Sequence, residues 1–212
     1  MDTGSRLPFK RRLKIAAALA AGALAGLGAY IYSGQYNIAA DEPHWFTTAK
    51  IIETLRDRSI DRRARDIIIP DLEDSRLVLK GAGQYGAMCV GCHLAPGMDN
   101  SEIRQGLYPE PPDFSRARID PARAFWVIKH GIKLTAMPAW GKTHDDQLIW
   151  DMVAFIRQLP KLNAAQYQAA VASAPESHEE MMEHMAGEKY DTASEPHEHA
   201  DHPRKGMGSG KK

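Results

Sequence analysis

Five consecutive residues, Cys89-Val90-Gly91-Cys92-His93, constrain this chain more than any other stretch. Two thiols three positions apart, with a histidine directly after the second, make a C-x-x-C-H sequence, the pattern of covalent c-type haem attachment. Cys89 and Cys92 would add across two vinyl groups as thioethers, and His93 would supply one axial nitrogen to the iron. The chain contains no other cysteine, so a structural zinc site of the thiolate-rich kind lacks two of its ligands. A redox dithiol also begins with C-x-x-C, but it expects a strand before the motif in a βαβ setting. The approach from Lys80 to Met88 reads as helix. On the pentapeptide alone both the haem and the dithiol readings stand, with haem the better supported.

The segments on either side differ in composition. The chain has 212 residues, and its 27 basic and 27 acidic side chains cancel, so nothing in the overall charge points to nucleic acid. A basic block, Lys10-Arg11-Arg12-Leu13-Lys14, precedes an uncharged run from Ile15 to Tyr32. That run reads as a membrane-spanning helix whose basic flank stays in the cytoplasm. The competing reading is a signal peptide cut near Ala39-Ala40. The length of the apolar run and the tyrosines at 30, 32 and 36, placed as an interfacial belt, favour an uncleaved anchor. We therefore expect an anchor over residues 1–34, an amphipathic helix and linker over 35–74, a folded domain over 75–162 and a polar tail over 163–212.

Within 35–74, Pro43 suits a first helical turn, and Trp45, Ala49, Ile52 and Leu55 form one apolar stripe beside a basic face. Such a helix could lie on an anionic membrane surface, on a partner, or against the following domain. Ile67-Ile68-Ile69-Pro70 is an extended connector. Asp74 or Ser75 caps the helix that runs into the haem motif, and Gly81 and Tyr85 share one of its faces. The Pro-rich stretch from Leu107 to Asp113 is a rigid loop suited to wrapping a planar group. Asp120-Pro121 opens another helix that stops at Gly131. Met137 then sits in an extended loop fixed by Pro138. A last strong helix starts at Asp145-Asp146, carries Leu148, Ile149, Met152, Phe155, Ile156 and Leu159 on its apolar side, and ends at Pro160. This all-α domain is small for an independent core, and a covalently held porphyrin would enlarge it.

Residues 75–162 resemble a class I cytochrome c. The resemblance rests on the pentapeptide, on Thr135-Ala136-Met137-Pro138-Ala139-Trp140, and on Gly81 and Tyr85 in the first helix paired with Phe155 in the last. Ala136 stands where the family usually has glycine. The basic anchor and the Tyr-Pro-Glu-Pro-Pro-Asp loop are similar to those of membrane-anchored bacterial monohaem cytochromes. The resemblance implies crossing first and last helices around one covalent haem c, ligated by His93 and Met137. It also implies attachment outside the cytoplasm, here at the periplasmic face of a bacterial inner membrane. The implied function is one-electron transfer, and not an enzyme's reaction. A quinol-oxidising complex or dehydrogenase would be the donor and an oxidase or reductase the acceptor, with this chain possible as a subunit of a larger complex.

Met88, Met98 and Met152 are weaker candidates for the sixth ligand, being too near the motif or on a helix's core side. Tyr108 and Trp140 are candidate haem contacts, with Trp126 equally suited to ordinary packing. His130 and His144 read mainly as polar residues near helix ends, and Lys129 and Lys133 could steer an acidic partner. The tail is expected to be disordered. His178, Met181, Met182, His184, Met185, His197, His199 and His202 nevertheless give it the thioethers and imidazoles that suit copper. Two other function classes follow: a peroxidase-like haem enzyme with an open sixth site, and a copper-handling protein acting through the tail.

Overall fold

The computed structural model describes residues 8–175 together with Glu180 and Glu183, and among these every regular element is helical. The order is α1 (Phe9–Tyr32), α2 (Phe46–Ala64), α3 (Ser75–Met88), α4 (Val90–His93), α5 (Glu102–Gln105), α6 (Pro121–His130), α7 (Asp146–Ile156) and α8 (Ala164–Ala172). Two short 3-10 turns lie at Trp140–Lys142 and Leu159–Lys161. The sequence-predicted caps hold. Asp74, Asp120 and Asp145 each accept a hydrogen bond from a backbone N–H of the first turn of α3, α6 and α7. Gly131 ends α6 at φ +66°, a conformation that needs no Cβ.

The core forms where α3 crosses α7. A Cβ on Gly81 would lie 1.9 Å from the carbonyl oxygen of Asp151 and 2.9 Å from Phe155 Cβ, so only glycine lets the two backbones approach this closely. One turn later the Tyr85 ring packs on Phe155 with centroids 5.6 Å apart. Ile149, Met152, Val153 and Phe155 are fully buried along α7, and Phe125 and Ile128 bring α6 onto the same cluster.

Helix α8 lies where a polar tail is expected from Asn163 onward. Asn163 and Gln166 form a reciprocal capping box at its start. Tyr167 is buried against Tyr85 and Phe155, with centroids 6.4 and 6.2 Å away. The packed body therefore extends past residue 162. Tyr167, with Ala170 and Val171 packed beside it, holds this helix in an Ala- and Gln-rich stretch, which is why no strong periodic stripe announces it.

Helix α2 begins at Phe46, three residues beyond Pro43. His44 and Trp45 are engaged outside the helix, His44 with Tyr36 and Tyr108, Trp45 with Tyr30 and Tyr36. Its expected apolar stripe does not pack on the folded domain, since Trp45, Ile52 and Leu55 are exposed. The second half of the helix docks instead. Ile60 and Ala64 are buried, Arg123 of α6 pairs with Asp57 and Asp61, and the Arg63 guanidinium lies over the Trp126 ring. Helix α1 has no buried residue. Among the described residues it is the one helix long and apolar enough to cross a membrane.

Candidate haem-binding site

Cys89, Cys92 and His93 lie on one helical turn. The N–H groups of Cys92 and His93 both donate to the Cys89 carbonyl, which continues the chain from α3 into α4. The thiols are not joined in a disulfide. Cys89 is buried in the core cluster, and burial pushes its thiol up to about 12. A redox dithiol needs the opposite, a depressed first thiol that is a thiolate at neutral pH. The dithiol reading therefore loses its chemistry here.

His93 is oriented by its own loop. Nδ1 lies 2.9 Å from the Pro112 carbonyl. A carbonyl oxygen can only accept, so Nδ1 carries the proton and Nε2 keeps the lone pair. Burial holds the imidazole below its usual pKa, which favours the neutral, ligating form. The ring stacks on Phe114 at 4.3 Å, and the Phe114 N–H donates to the His93 carbonyl. Tyr85 closes the turn from the core side, its hydroxyl donating to the Leu94 carbonyl.

The Pro112 carbonyl is itself held in place. Arg104 of α5, largely buried, donates through Nε to the Pro111 carbonyl at 3.1 Å and through Nη1 to Asn100 Oδ1 at 2.9 Å, and it pairs with Glu110. Ser101 ties α5 back to the motif, its hydroxyl donating to the Gly91 carbonyl while accepting from the Arg104 N–H. Arg104, Ser101 and the Pro112 carbonyl were not among the residues singled out from the sequence. A lone arginine in a Pro-rich loop has no distinctive spacing, and a backbone acceptor has no sequence signature.

Met137 occupies a closed loop. The Ile132 N–H donates to the Met137 carbonyl at 3.2 Å, and the Thr135 hydroxyl accepts from the Met137 N–H at 3.1 Å. A Cβ on Gly131 would come within 2.8 Å of the Met137 carbonyl, so a glycine is required where α6 meets this loop. Ala136 does not prevent the turn, because the left-handed conformation falls on Leu134 (φ +60°). The Met137 side chain is half-buried against the same apolar cluster that contains Cys89 and that Phe114 and Trp140 border.

The remaining candidates fall elsewhere. The hydroxyl of Tyr108 accepts from the His44 N–H at 3.3 Å, and its ring meets the His44 ring edge-on. Trp140 meets the buried His144 edge-on, and His144 Nδ1 is 2.9 Å from the Thr143 hydroxyl. Trp126 faces Arg63 and His130. Lys129 is tied to Asp146 at 2.6 Å and so is not a free steering charge, whereas Lys133 is exposed. The eight tail residues considered for copper lie outside the described residues.

The donor set fits a covalently attached haem: two unpaired thiols and a neutral imidazole on one turn, with a half-buried thioether bordering the same apolar cluster. Residues 76–156 match the family described as cytochrome C oxidase, cbb3-type, subunit III. No curated protein and no solved structure matches the chain.

Proposed function

We propose, from the premise that residues 76–156 are a c-type cytochrome domain, that this chain is a membrane-anchored monohaem carrier of single electrons. Bound haem supplies a one-electron ferric–ferrous couple. Cys89 and Cys92 hold it covalently, so it stays with the chain through every cycle. His93 presents Nε2 to the iron, and the Pro112 carbonyl fixes that tautomer and raises the basicity of the ligating nitrogen. Met137 supplies the second ligand, a soft thioether that favours the ferrous state and raises the potential. Were His93 and Met137 both to hold the iron, no position would remain for a substrate, which favours a carrier over a peroxidase-like enzyme.

The observation that carries this reading is the Nδ1-to-Pro112 hydrogen bond on the same turn as two unpaired thiols. Helix α1 would hold the haem domain on the periplasmic side of a bacterial inner membrane, between a quinol-oxidising complex or dehydrogenase and an oxidase or reductase. The ferric protein is expected to show the far-red iron–sulfur absorption band and one haem per chain. Met137→Ala should abolish the band. Met137→His should lower the potential by a sizeable part of the ~0.8 V that axial ligands span. Absence of the band from the native protein, or its survival in Met137→Ala, would overturn the ligand assignment.

A further inference from the structure

The first half of α2 has an apolar face that the rest of the described chain leaves uncovered. Trp45, Ile51, Ile52 and Leu55 share one side of the helix and are 61, 69, 47 and 70 % exposed. Farther along the same side stand the exposed Arg58 and Arg62. The opposite side of the helix carries Ile60 and Ala64, which dock on the haem domain. Trp45 is also held to the end of α1, its ring 6.0 Å from that of Tyr30 and 5.5 Å from that of Tyr36. The apolar face therefore begins at the level where α1 ends.

We infer that this face lies in the outer leaflet of the membrane that α1 spans, with Trp45, Ile51, Ile52 and Leu55 at the headgroup–acyl boundary and Arg58 and Arg62 on lipid phosphates. This rests on the reading of α1 as an uncleaved anchor. Three observations select lipid over a protein partner. The face is continuous with the exit of α1, Trp45 packs on both Tyr30 and Tyr36 to join the two, and the flanking charges are arginines, which match anionic headgroups. The clamp between α2 and α6 then makes the helix a rigid base that fixes which side of the haem domain faces the membrane.

The test uses the full-length holoprotein in phosphatidylethanolamine–phosphatidylglycerol vesicles without other proteins. Both native thiols are consumed as thioethers, so an introduced cysteine is the single reactive thiol. Ile51→Cys, Leu55→Cys, Glu53→Cys on the opposite side and Leu24→Cys within α1 are labelled with a membrane-impermeant maleimide. Each rate is normalised to the same variant in denaturant, and the haem spectrum checks that each has folded. Residues 51 and 55 are expected to react at least about tenfold more slowly than residue 53, as apolar side chains sunk in the interface would. If residue 24 is shielded while 51 and 55 react as fast as 53, the anchor stands and this inference falls. Free labelling at residue 24 removes the anchor and the inference with it. A disulfide-linked dimer forming through residue 55 assigns the face to a second copy and also overturns it.

Discussion

Asp151 stands where a carboxylate is unfavourable. It is buried on α7 beside the helix crossing, Oδ1 accepts from Gln147 at 3.0 Å, and Oδ2 has no hydrogen-bond partner among the described residues. Burial raises its pKa above the usual 3.8. A folded-state pKa above the unfolded one means that the protonated group favours folding at low pH. That advantage is lost as pH rises through the folded value. Asp151→Asn cannot ionise, so its stability should gain on the native protein as pH climbs from 3.8, by up to about 1.4 kcal/mol per pH unit within the window. Denaturant unfolding followed by haem absorbance between about pH 4 and 7 checks this, and parallel profiles would contradict it. Gly81 makes a second prediction at this scale. Its added Cβ meets backbone, which cannot rotate away as a side chain can. Gly81→Ala should therefore cost about 3 kcal/mol or more.

The elements were legible in the sequence wherever their ends carry local chemistry. Asp74, Asp120-Pro121, Gly131 and Asp145 bound α3, α6 and α7 through caps and turns that side chains make with nearby backbone, and such signals survive without knowledge of the fold. The crossing of α3 and α7 was legible through the family resemblance, which pairs Gly81 and Tyr85 of the first helix with Phe155 of the last. Contacts made by backbone or by distant segments left no such trace. The Pro112 carbonyl, the Arg104 brace and the docking of α2 through Asp57, Asp61 and Arg123 belong to this class. So does α8, which depends on Tyr167 reaching Tyr85 and Phe155 across the fold. Tyr167→Ala removes that anchor and should destabilise the domain by about 3 kcal/mol, in the range of large aromatic truncations in cores. A smaller unfolding midpoint with an unchanged haem spectrum would place the effect in packing, since the ring contacts of Tyr167 are with Tyr85 and Phe155.

At the scale of the whole molecule the arrangement is serial: a long apolar helix, an aromatic joint at Tyr30, Tyr36 and Trp45, a helix clamped to α6, and the haem domain. The joint reaches the site itself, because Tyr36 and Tyr108 both engage His44 while Tyr108 lies in the loop that carries the Pro112 carbonyl. Electron transfer between proteins depends on encounter, and a tethered carrier meets membrane partners at an effective concentration set by its tether. A chain without residues 1–34 keeps α2 and its clamp, so its reduction potential and its reaction with a small soluble reductant should match those of the intact protein. Reconstituted with native membranes at equal concentration, it should reduce the membrane acceptor at least about tenfold more slowly, because each encounter must now occur from solution. Stopped-flow oxidation of the two ferrous proteins separates the cases. A loss confined to the membrane reaction assigns α1 a purely positional role. Equal rates would mean that tethering through α1 does not set the encounter with the acceptor, and a changed potential would mean that α1 contributes to the haem site.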